Sequence, residues 1–286
     1  MLPRNVLVTG ASTGIGEACA LRMAERGWRV FAAVRKEADG ARLLARGGAA
    51  IVPVTLDVVD ASQIAAAMET VGKAVGEAGL HGLVNNAGIA VSGPLELLPL
   101  ADLRRQFEVN VFGLLAVTQA ALPLLRRGRG RIVNMSSIAG RATSPIVAAY
   151  AASKHAVEAI SDGLRMELLG QGVGVAVIEP GVVRTPIWEK GRAESEGRLA
   201  ALNNEDEARY RGLVEGLRRF VSEHSPKGLP PEAVADAVEH ALTAARPRTR
   251  YLVGSDARLR ALLAWLLPDR WSDALVLRVF RRPAAE

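Results

Sequence analysis

The sequence predicts an α/β protein with a doubly wound parallel sheet that is covered by helices on both faces. Short apolar runs alternate with longer segments of helical composition, and this alternation is typical of a parallel sheet with helical crossovers. A glycine-rich turn at residues 9–16 lies between the first apolar run and the first helical segment. Polar residues follow later apolar runs at residues 85–86 and 136–137, where doubly wound sheets bind their ligands.

The order of strands and helices follows from these runs. Strands are expected at residues 5–8, 28–34, 51–56, 82–88 with its turn, 131–135, 174–178 and 251–254. Helices are expected at residues 17–26, 61–78, 101–126, 146–169, 198–201 and 205–221, and a further one is opened by the prolines at 230–231. No repeat or low-complexity linker interrupts the sequence, so residues 1–286 are predicted to form a single domain.

Composition limits the classes of protein that this chain can be. Apolar residues make up 49% of the chain but aromatic residues only 4%, so Ala, Val and Leu must fill the core. The single cysteine, Cys19, forms no internal disulfide and suits a reducing compartment. The N-terminus leads straight into a predicted strand, and no apolar run approaches the roughly 20 residues of a membrane span. We therefore expect a cytoplasmic protein, and the sequence predicts no metal site.

The net charge of +6 is concentrated near the C-terminus. Nine arginines and four acidic residues lie between residue 246 and the end, and they contribute +5 of that charge. The rest of the chain therefore carries only +1, so its main body is not expected to bind nucleic acid. No zinc-finger or RNA-binding signature is present in the sequence either.

The glycine-rich turn predicts a dinucleotide site in a Rossmann-type fold. Glycines let the backbone approach a phosphate, and the following helix presents free amides and the positive end of its dipole. A plain strand–helix turn is the alternative, but the strand–turn–helix context favours a nucleotide. The second strand ends in Arg35 and Lys36 instead of the acidic residue that binds the ribose of NAD. A guanidinium there favours the 2′-phosphate of NADP, unless both residues are solvated surface charges.

Tyr150 and Lys154 are four residues apart in a predicted helix and therefore lie on one face. An ammonium group near a tyrosine stabilises the phenolate and lowers its pKa from about 10. The pair could then exchange a proton with a substrate oxygen, although the same spacing is common on exposed helix surfaces. Asn110 lies inside an apolar helix, where a buried amide needs a partner or a function. For Asn85, after a strand, a structural role is at least as reasonable as a ligand-binding one.

Together these residues resemble the short-chain dehydrogenase/reductase family. The motifs stand in the family's order: Thr9-Gly10-x-x-x-Gly14-Ile15-Gly16, Asn85-Asn86-Ala87-Gly88, Asn110, Ser137, Tyr150-x-x-x-Lys154 and Pro180-Gly181. The resemblance implies that Tyr150 is the acid–base residue and that Lys154 lowers its pKa and holds the nicotinamide ribose. It also implies that Ser137 positions the substrate oxygen and that Asn110 anchors a water linking Lys154 to solvent.

The same resemblance implies a set of residues that bind NADP, with NAD as the weaker alternative. The glycine turn contributes Gly10, Ser12, Thr13, Gly14, Ile15 and Gly16. The other cofactor-binding residues are Arg35, Lys36, Asp57, Val58, Asn86, Ala87, Gly88, Tyr150, Lys154, Pro180, Gly181, Val183 and Thr185. Neither Ser12 nor Thr13 is the extra basic residue that some NADP-dependent members carry in this turn, so the preference for NADP is expected to be incomplete.

Two segments extend the compact family plan beyond Thr185. Residues 186–228 resemble the substrate-covering lid of larger members, with a pair of surface helices as the alternative. Residues 255–286 form a predicted helical cap whose apolar stripe is broken at Pro268. In layout this tail resembles the C-terminal ends of retinol- and hydroxysteroid-dehydrogenase-like members, which implies a lipophilic substrate. The stripe could cover the substrate pocket, a partner subunit or an anionic membrane, and the pocket is the expected location.

The sequence therefore predicts an NADP(H)-dependent oxidoreductase that interconverts a ketone or aldehyde and an alcohol by hydride transfer. Two other classes stay open. One is a catalytically idle NADP-binding scaffold, and the other is a membrane-surface protein that acts through its tail. The family resemblance also implies a homodimer or homotetramer, formed in part through the Ala-rich face of the helix that carries Tyr150.

Overall fold

The computed structural model describes residues 4–187, 189, 196–197 and 204–280. These residues form a seven-stranded parallel sheet in the order β3-β2-β1-β4-β5-β6-β7. The strands are β1 Asn5–Val8, β2 Arg29–Val34, β3 Ile51–Thr55, β4 Gly82–Asn85, β5 Arg131–Met135, β6 Gly174–Pro180 and β7 Arg250–Val253. The helices are α1 Gly14–Glu25, α2 Glu37–Gly47, α3 Ala61–Val75, α4 Leu100–Phe107, α5 Gly113–Gly128, α6 Ala148–Glu167, α7 Asn204–His224, α8 Pro231–Thr243, α9 Ser255–Leu266 and α10 Asp269–Phe280.

The chain reverses its direction across the sheet between β1 and β4. It builds β1, β2 and β3 outward on one side and then returns to place β4 on the other side of β1. All pairings are parallel, so the carboxyl ends of the strands lie along one edge. In doubly wound sheets the ligand crevice opens at that edge, where the strand order reverses. The predicted doubly wound fold is confirmed, and its loops after β1 and β4 flank this position.

Helices cover both faces of the sheet because alternate residues of each strand are buried on opposite sides. Val6 and Val8 of β1 pack in one apolar cluster with residues of α1 and α8. Leu7, between them, packs in a second cluster with residues of α3 and α5. All of β1 is buried, as expected for a strand inside a parallel sheet.

One long helical segment contains α4, a π-helical turn at Glu108–Phe112 and α5. By length and composition this segment could cross a membrane, which differs from the expectation that no apolar run approaches that length. Its buried residues Val117, Ala121 and Leu125 pack with strand residues in the second apolar cluster. The segment is therefore a core helix of the α/β domain.

The helices differ from the prediction at several points, and the structure gives a physical reason for two of the differences. α2 was not predicted, because Gly40 and Gly47 give its segment a weak helical signal. Gly40 has a packing role, since a Cβ there would lie 2.8 Å from the Cβ of Pro53. α6 begins two residues later than predicted because Ile146 has a positive φ of 70°. The expected break of the tail at Pro268 is confirmed by α9 and α10, whereas the helix predicted at 198–201 lies outside the described residues.

Candidate active site

The glycine turn after β1 forms a close-packed cradle for an anion. Gly10 and Gly14 have φ values of 63° and 62°, a conformation that favours glycine. A Cβ on Gly16 would overlap the carbonyl oxygen of Gly10, and a Cβ on Gly10 would lie 2.8 Å from the Cα of Ala87. The turn leads into α1, whose first amides have no partner within the helix. This backbone therefore fits the pyrophosphate of a dinucleotide.

Thr9 and Asn86 tie the glycine turn to the loop after β4. The Thr9 hydroxyl accepts hydrogen bonds from the amides of Asn86 and Ala87, at 3.0 and 3.1 Å. The Asn86 Nδ2 donates to the carbonyl oxygens of Thr9 and Gly10, also at 3.0 and 3.1 Å. Asn86 thus shapes the turn itself. Thr9 is a positioning residue that the sequence-based set of binding residues did not include, although it opens the glycine motif.

Two cationic residues follow β2, at the position predicted for the adenosine end of the cofactor, and a third lies at the glycine turn. Arg35 and Lys36 follow β2 and are exposed. Arg42 of α2 bonds the carbonyl oxygen of Ser12 in the glycine turn and pairs with Glu17 at 2.5 Å. Sequence reasoning missed Arg42 because α2 was not predicted, so nothing indicated that a residue 30 positions away returns to the turn.

Asp57 and Val58 follow β3 at the same edge of the sheet. The Asp57 Oδ1 accepts a bond from the amide of Val59 at 3.3 Å. Val58 is buried, and a Cβ on Gly113 would lie 2.8 Å from its Cγ2. Val58 therefore supports the start of α5, while Asp57 is half-buried at the position predicted for an adenosine contact.

Ser137, Tyr150 and Lys154 come together at the carboxyl end of β5. Tyr150 and Lys154 lie one turn apart on α6, and both are buried. The Lys154 Nζ donates to the carbonyl oxygen of Met135 at 2.8 Å and lies 5.7 Å from the centre of the Tyr150 ring. The Ser137 hydroxyl hydrogen-bonds with the Tyr150 side chain and accepts a bond from the amide of Ala139 at 3.1 Å. The three residues form one cluster, as the family resemblance implied.

Burial is the largest influence on the pKa values of Tyr150 and Lys154. It raises the pKa of Tyr150 to about 12, and the hydrogen bond with Ser137 opposes this shift. It lowers the pKa of Lys154 to about 8, and the Glu158 carboxylate opposes that shift. The lowering of the Tyr150 pKa that was expected from Lys154 is not found, because desolvation of the buried phenol sets the direction of the shift. Tyr150 is therefore a protonated phenol near neutral pH.

Asn110 lies in the π-helical turn, where it connects two parts of the site. Its Oδ1 accepts a bond from the amide of Ile89 at 2.9 Å, and its Nδ2 donates to the Ile89 carbonyl oxygen at 3.0 Å. The same Nδ2 donates to the Ser153 hydroxyl at 3.1 Å, next to Lys154 in sequence. π turns are frequent at functional sites. Here the turn places the buried amide between the loop after β4 and α6. These contacts are the partners that a buried asparagine needs.

Two further buried amides, of Gln106 and Asn85, do not belong to the predicted site. Gln106, one turn earlier, bonds the backbone of Ile89 and Val91 at 2.9 and 2.7 Å. Its spacing of four residues from Asn110 was the available signal. Asn85 donates to the Thr118 and Asn134 side chains at 2.8 and 2.9 Å, which favours a structural role for Asn85.

The loop after β6 carries the residues predicted for the nicotinamide side. Thr185 lies beside the glycine turn, since a Cβ on Gly14 would be 3.1 Å from its Cγ2. A Cβ on Gly181 would overlap the carboxylate of Asp256, which accepts a bond from the amide of Val182 at 2.8 Å. Asp256 stands in the first turn of α9. It was not predicted, and it ties the C-terminal tail to this loop.

Comparison with known proteins gives the same picture over the whole chain. The sequence profile of the family described as short chain dehydrogenase matches residues 4–196. The NADPH-dependent 3-dehydrocapnine reductase of Ornithobacterium rhinotracheale is 37% identical in an alignment 288 residues long that covers 99% of each chain. Retinol dehydrogenase 16 of Mus musculus is 39% identical in an alignment 285 residues long that covers 97% of this chain and 89% of the relative.

Solved structures agree with the sequence matches. A short chain dehydrogenase from Burkholderia cenocepacia in complex with NADP has a TM-score of 0.72 and 27% identity, and the match covers 97% of each chain. A short chain dehydrogenase/reductase from Burkholderia phymatum in complex with NAD has a TM-score of 0.79 and 26% identity, with 99% of this chain and 98% of that chain covered. The chain therefore belongs to the short chain dehydrogenase family of oxidoreductases.

Proposed function

We propose that this protein is an NADP(H)-dependent oxidoreductase that interconverts a lipophilic ketone or aldehyde and its alcohol. The observation that carries the proposal is the cluster of Ser137, Tyr150 and Lys154 at the same sheet edge as the glycine turn. When bound, the nicotinamide cofactor supplies or accepts the hydride. The side chains of this protein orient the carbonyl group and move its proton.

Tyr150 is the general acid in the direction of reduction, because burial keeps its phenol protonated near neutral pH. Its hydroxyl donates a proton to the substrate oxygen. Ser137 donates a hydrogen bond to the same oxygen as negative charge develops there. Lys154 stabilises the tyrosinate that is left, and Asn110 positions α6 through its bond to Ser153. Oxidation of the alcohol reverses each transfer.

The preference for NADP rests on the cations at the adenosine end. Arg35 and Lys36 take the 2′-phosphate at the end of β2, and Arg42 supplies a guanidinium beside the glycine turn, which itself contains no basic residue. A relative of nearly equal length is named an NADPH-dependent reductase. NAD is the weaker alternative, and one structural relative holds NAD.

A lipophilic substrate is supported by the tail and by the names of the relatives. α9 packs against the turn at Ile138–Gly140, which follows Ser137 directly. Arg260 of α9 donates to the Ser144 hydroxyl at 3.0 Å, so the tail lies alongside the substrate-positioning serine. We infer that residues 255–286 wall the substrate pocket and that residues 186–228, which include α7, cover it.

The outer side of the same tail supports contact with a membrane. Trp265 and Trp271 are 82% and 68% exposed. Further apolar side chains are exposed on both tail helices: Leu259, Leu262, Leu266, Leu275 and Val279. Exposed arginines lie among them, at Arg258, Arg270 and Arg278. Tryptophan and arginine next to an apolar helical face suit the interface of an anionic bilayer, and we propose peripheral attachment through this face.

We also propose that the protein forms a homodimer or homotetramer. The small residues Ala152 and Ala159 of α6 are exposed on one side of that helix, and Phe112 at the end of the π turn is 54% exposed. Such surfaces allow two helices to approach closely. Sedimentation equilibrium measures the mass directly, and a monomer at micromolar concentration would exclude this assembly.

A substrate panel tests the proposed function. Steroids, retinoids and aliphatic or aromatic ketones are incubated with NADPH, and cofactor oxidation is followed by its absorbance. We expect turnover with lipophilic carbonyl compounds, faster with NADPH than with NADH. An absence of turnover throughout the panel, together with tight NADPH binding, would favour the catalytically idle scaffold.

A further inference from the structure

A stripe of ionisable residues continues along α6 beyond the catalytic pair. Tyr150, Lys154, Glu158 and Asp162 are each four residues apart, and residues at this spacing lie on one helical face. Glu158 is only 9% exposed, although carboxylates are rarely buried to that degree. Glu158 therefore stands one turn behind Lys154, inside the protein.

A second buried carboxyl group meets Glu158 from the sheet. Glu179 of β6 is fully buried, at 0% exposure. The Arg250 Nε lies 3.1 Å from Oε2 of Glu158 and 3.6 Å from Oε1 of Glu179, so both carboxyl groups approach the same nitrogen. Glu158 also raises the pKa of Glu179, as expected for two carboxyl groups that face each other around one guanidinium. Arg141 pairs with Glu179 from the other side at 2.7 Å.

The two arginines do not satisfy every carboxyl oxygen of Glu158 and Glu179. Among the described residues, Glu158 Oε1 and Glu179 Oε2 are buried without any hydrogen-bond donor. The hydroxyl of Ser136 is buried without a partner in the same region, since a Cβ on Gly140 would lie 2.7 Å from that hydroxyl and 3.1 Å from the Cγ of Glu158. Two ionised carboxylates in contact repel, and a buried acceptor without a donor is unfavourable. One proton between the carboxyl groups removes both problems.

We propose that Glu158 and Glu179 share a single proton and act as a positioning pair that sets the charge of Lys154. The inference rests on the proposed function of Lys154 as the partner of Tyr150. Glu158 is the nearer member, so the more negative charge it carries, the more firmly Lys154 holds its own proton. Glu179 governs how much negative charge Glu158 keeps. When the shared proton lies on Glu179, Glu158 carries more negative charge, and when it lies on Glu158, that charge is smaller.

The direction of the pKa shifts is consistent with this arrangement. Burial raises the pKa of Glu179, the hydrogen bond from Arg141 opposes this, and Glu158 raises it further. Burial lowers the pKa of Lys154 to about 8 and Glu158 raises it. The other charged groups on the surrounding elements are Asp162 and Arg165 of α6, Arg141 after the turn at residues 138–140, Arg250 of β7, and Asp256 and Arg260 of α9.

Infrared difference spectroscopy of the full-length protein tests the shared proton without any reference to turnover. Near neutral pH we expect the carbonyl stretch of a protonated carboxylic acid in the native protein. The band should disappear in Glu179→Gln and in Glu158→Gln, because the remaining carboxylate receives hydrogen bonds from the new amide. Glu167→Gln, an exposed position on the same helix, should keep the band. A native protein without the band, or a band that survives both substitutions, would overturn the shared proton.

The effect on Lys154 is tested by NADPH affinity as a function of pH, followed by cofactor fluorescence. A charged ammonium binds ribose hydroxyls more strongly than a neutral amine, so affinity should fall as pH rises through the Lys154 pKa. Glu158→Gln removes a neighbouring negative charge and should move that fall to lower pH by about one unit. Glu179→Gln leaves the full charge on Glu158 and should move it to higher pH.

Opposite displacements are the signature of a pair that sets a charge, because a purely structural role would weaken binding equally at every pH. Equal displacements of the pH dependence in the same direction would refute the proposal. The absence of any displacement would also refute it, provided that the variants have the same melting temperature as the native protein. The outcome is separate from the proposed reaction. The protein could show both the infrared band and the opposite displacements but turn over no carbonyl compound. That result would support the shared proton and refute the proposed function.

Discussion

At the scale of the residue, buried side chains of the same type have different roles because they have different neighbours. Asn85 ends an apolar strand and Asn110 lies inside an apolar helix. Asn85 bonds Thr118 and Asn134 inside the core, whereas Asn110 bonds Ser153, which is next to Lys154 in sequence. Tyr150 is held as a neutral phenol because desolvation outweighs its polar contacts. Each of these states depends on neighbours that are distant in sequence, and each can be tested by one substitution.

Tyr150→Phe keeps the aromatic ring and removes the proton that we assign to the substrate oxygen. We expect turnover to fall on the order of 100-fold or more, as for loss of general acid–base catalysis. NADPH affinity, measured by fluorescence titration, should change little because the ring still packs in the site. Near-native turnover in this variant would show that another group supplies the proton.

Arg35→Ala should weaken NADPH binding by about ten- to a hundredfold, since a hydrogen bond to a charged group contributes about 1.5–3 kcal/mol. NADH has no 2′-phosphate, so its affinity should be nearly unchanged. Arg42→Ala should act in the same direction, because Arg42 lies at the glycine turn. Arg46→Ala is the matched control, as Arg46 pairs with Glu17 as Arg42 does. If NADPH and NADH lose affinity equally, Arg35 supports the fold and not the phosphate.

At the scale of the element, the glycine turn depends on atoms that are almost in contact. The amide of Asn86 holds the turn at Thr9 and Gly10, and no space exists for a side chain at Gly16. The π turn works in the same way, because Gly113 allows the start of α5 to reach Val58. Both elements are shaped by close backbone approach.

Gly16→Ala introduces a Cβ that overlaps the carbonyl oxygen of Gly10. Overpacking of this kind costs about 1–3 kcal/mol, so we expect NADPH affinity to fall by roughly ten- to a hundredfold. Gly212→Ala is the control, because Gly212 lies in α7 with open space around it. That control should raise the free energy of unfolding by about 0.5–1 kcal/mol, as alanine favours a helix. Unchanged NADPH affinity in Gly16→Ala would remove the turn from the proposed cofactor site.

At the scale of the whole molecule, the tail has two sides with different partners. Its inner side is anchored by Asp256 at the loop after β6 and by Phe280, which stacks with Phe220 of α7 at 6.4 Å. Its outer side presents Trp265 and Trp271 to solvent. One segment can therefore wall the pocket and face a bilayer, so these two interpretations of the stripe are compatible.

The double substitution of Trp265→Ser and Trp271→Ser tests the outer side alone. We expect the protein to lose most of its binding to vesicles that contain anionic lipid, measured by flotation, because two exposed tryptophans no longer insert. NADPH affinity should not change, since neither residue lies at the glycine turn. Leu169→Ser, at an apolar position that is 84% exposed elsewhere on the surface, is the control. Vesicle binding equal to that of the native protein would argue against attachment through this face.

The sequence by itself determined the features that depend on neighbouring residues. Alternating apolar and helical runs predicted the parallel sheet, because burial on both faces imposes that pattern. The glycine turn predicted a dinucleotide site, and the spacing of Tyr150 and Lys154 placed the two side chains on one helical face, since both patterns are local in the chain. The family resemblance then added Ser137 to this cluster. Pro268 predicted the division of the tail, because proline cannot continue a helix.

Only the tertiary structure decided the features that join distant segments. α2 carries a weak local signal, yet packing of Gly40 on Pro53 stabilises it and brings Arg42 to the glycine turn. Glu158 and Glu179 carry no motif, and they meet only because α6 packs on β6. The physical reason is desolvation: the pKa of a side chain and the partners of a buried amide are set by what surrounds them in space, and that surrounding comes from segments that are far apart in the sequence.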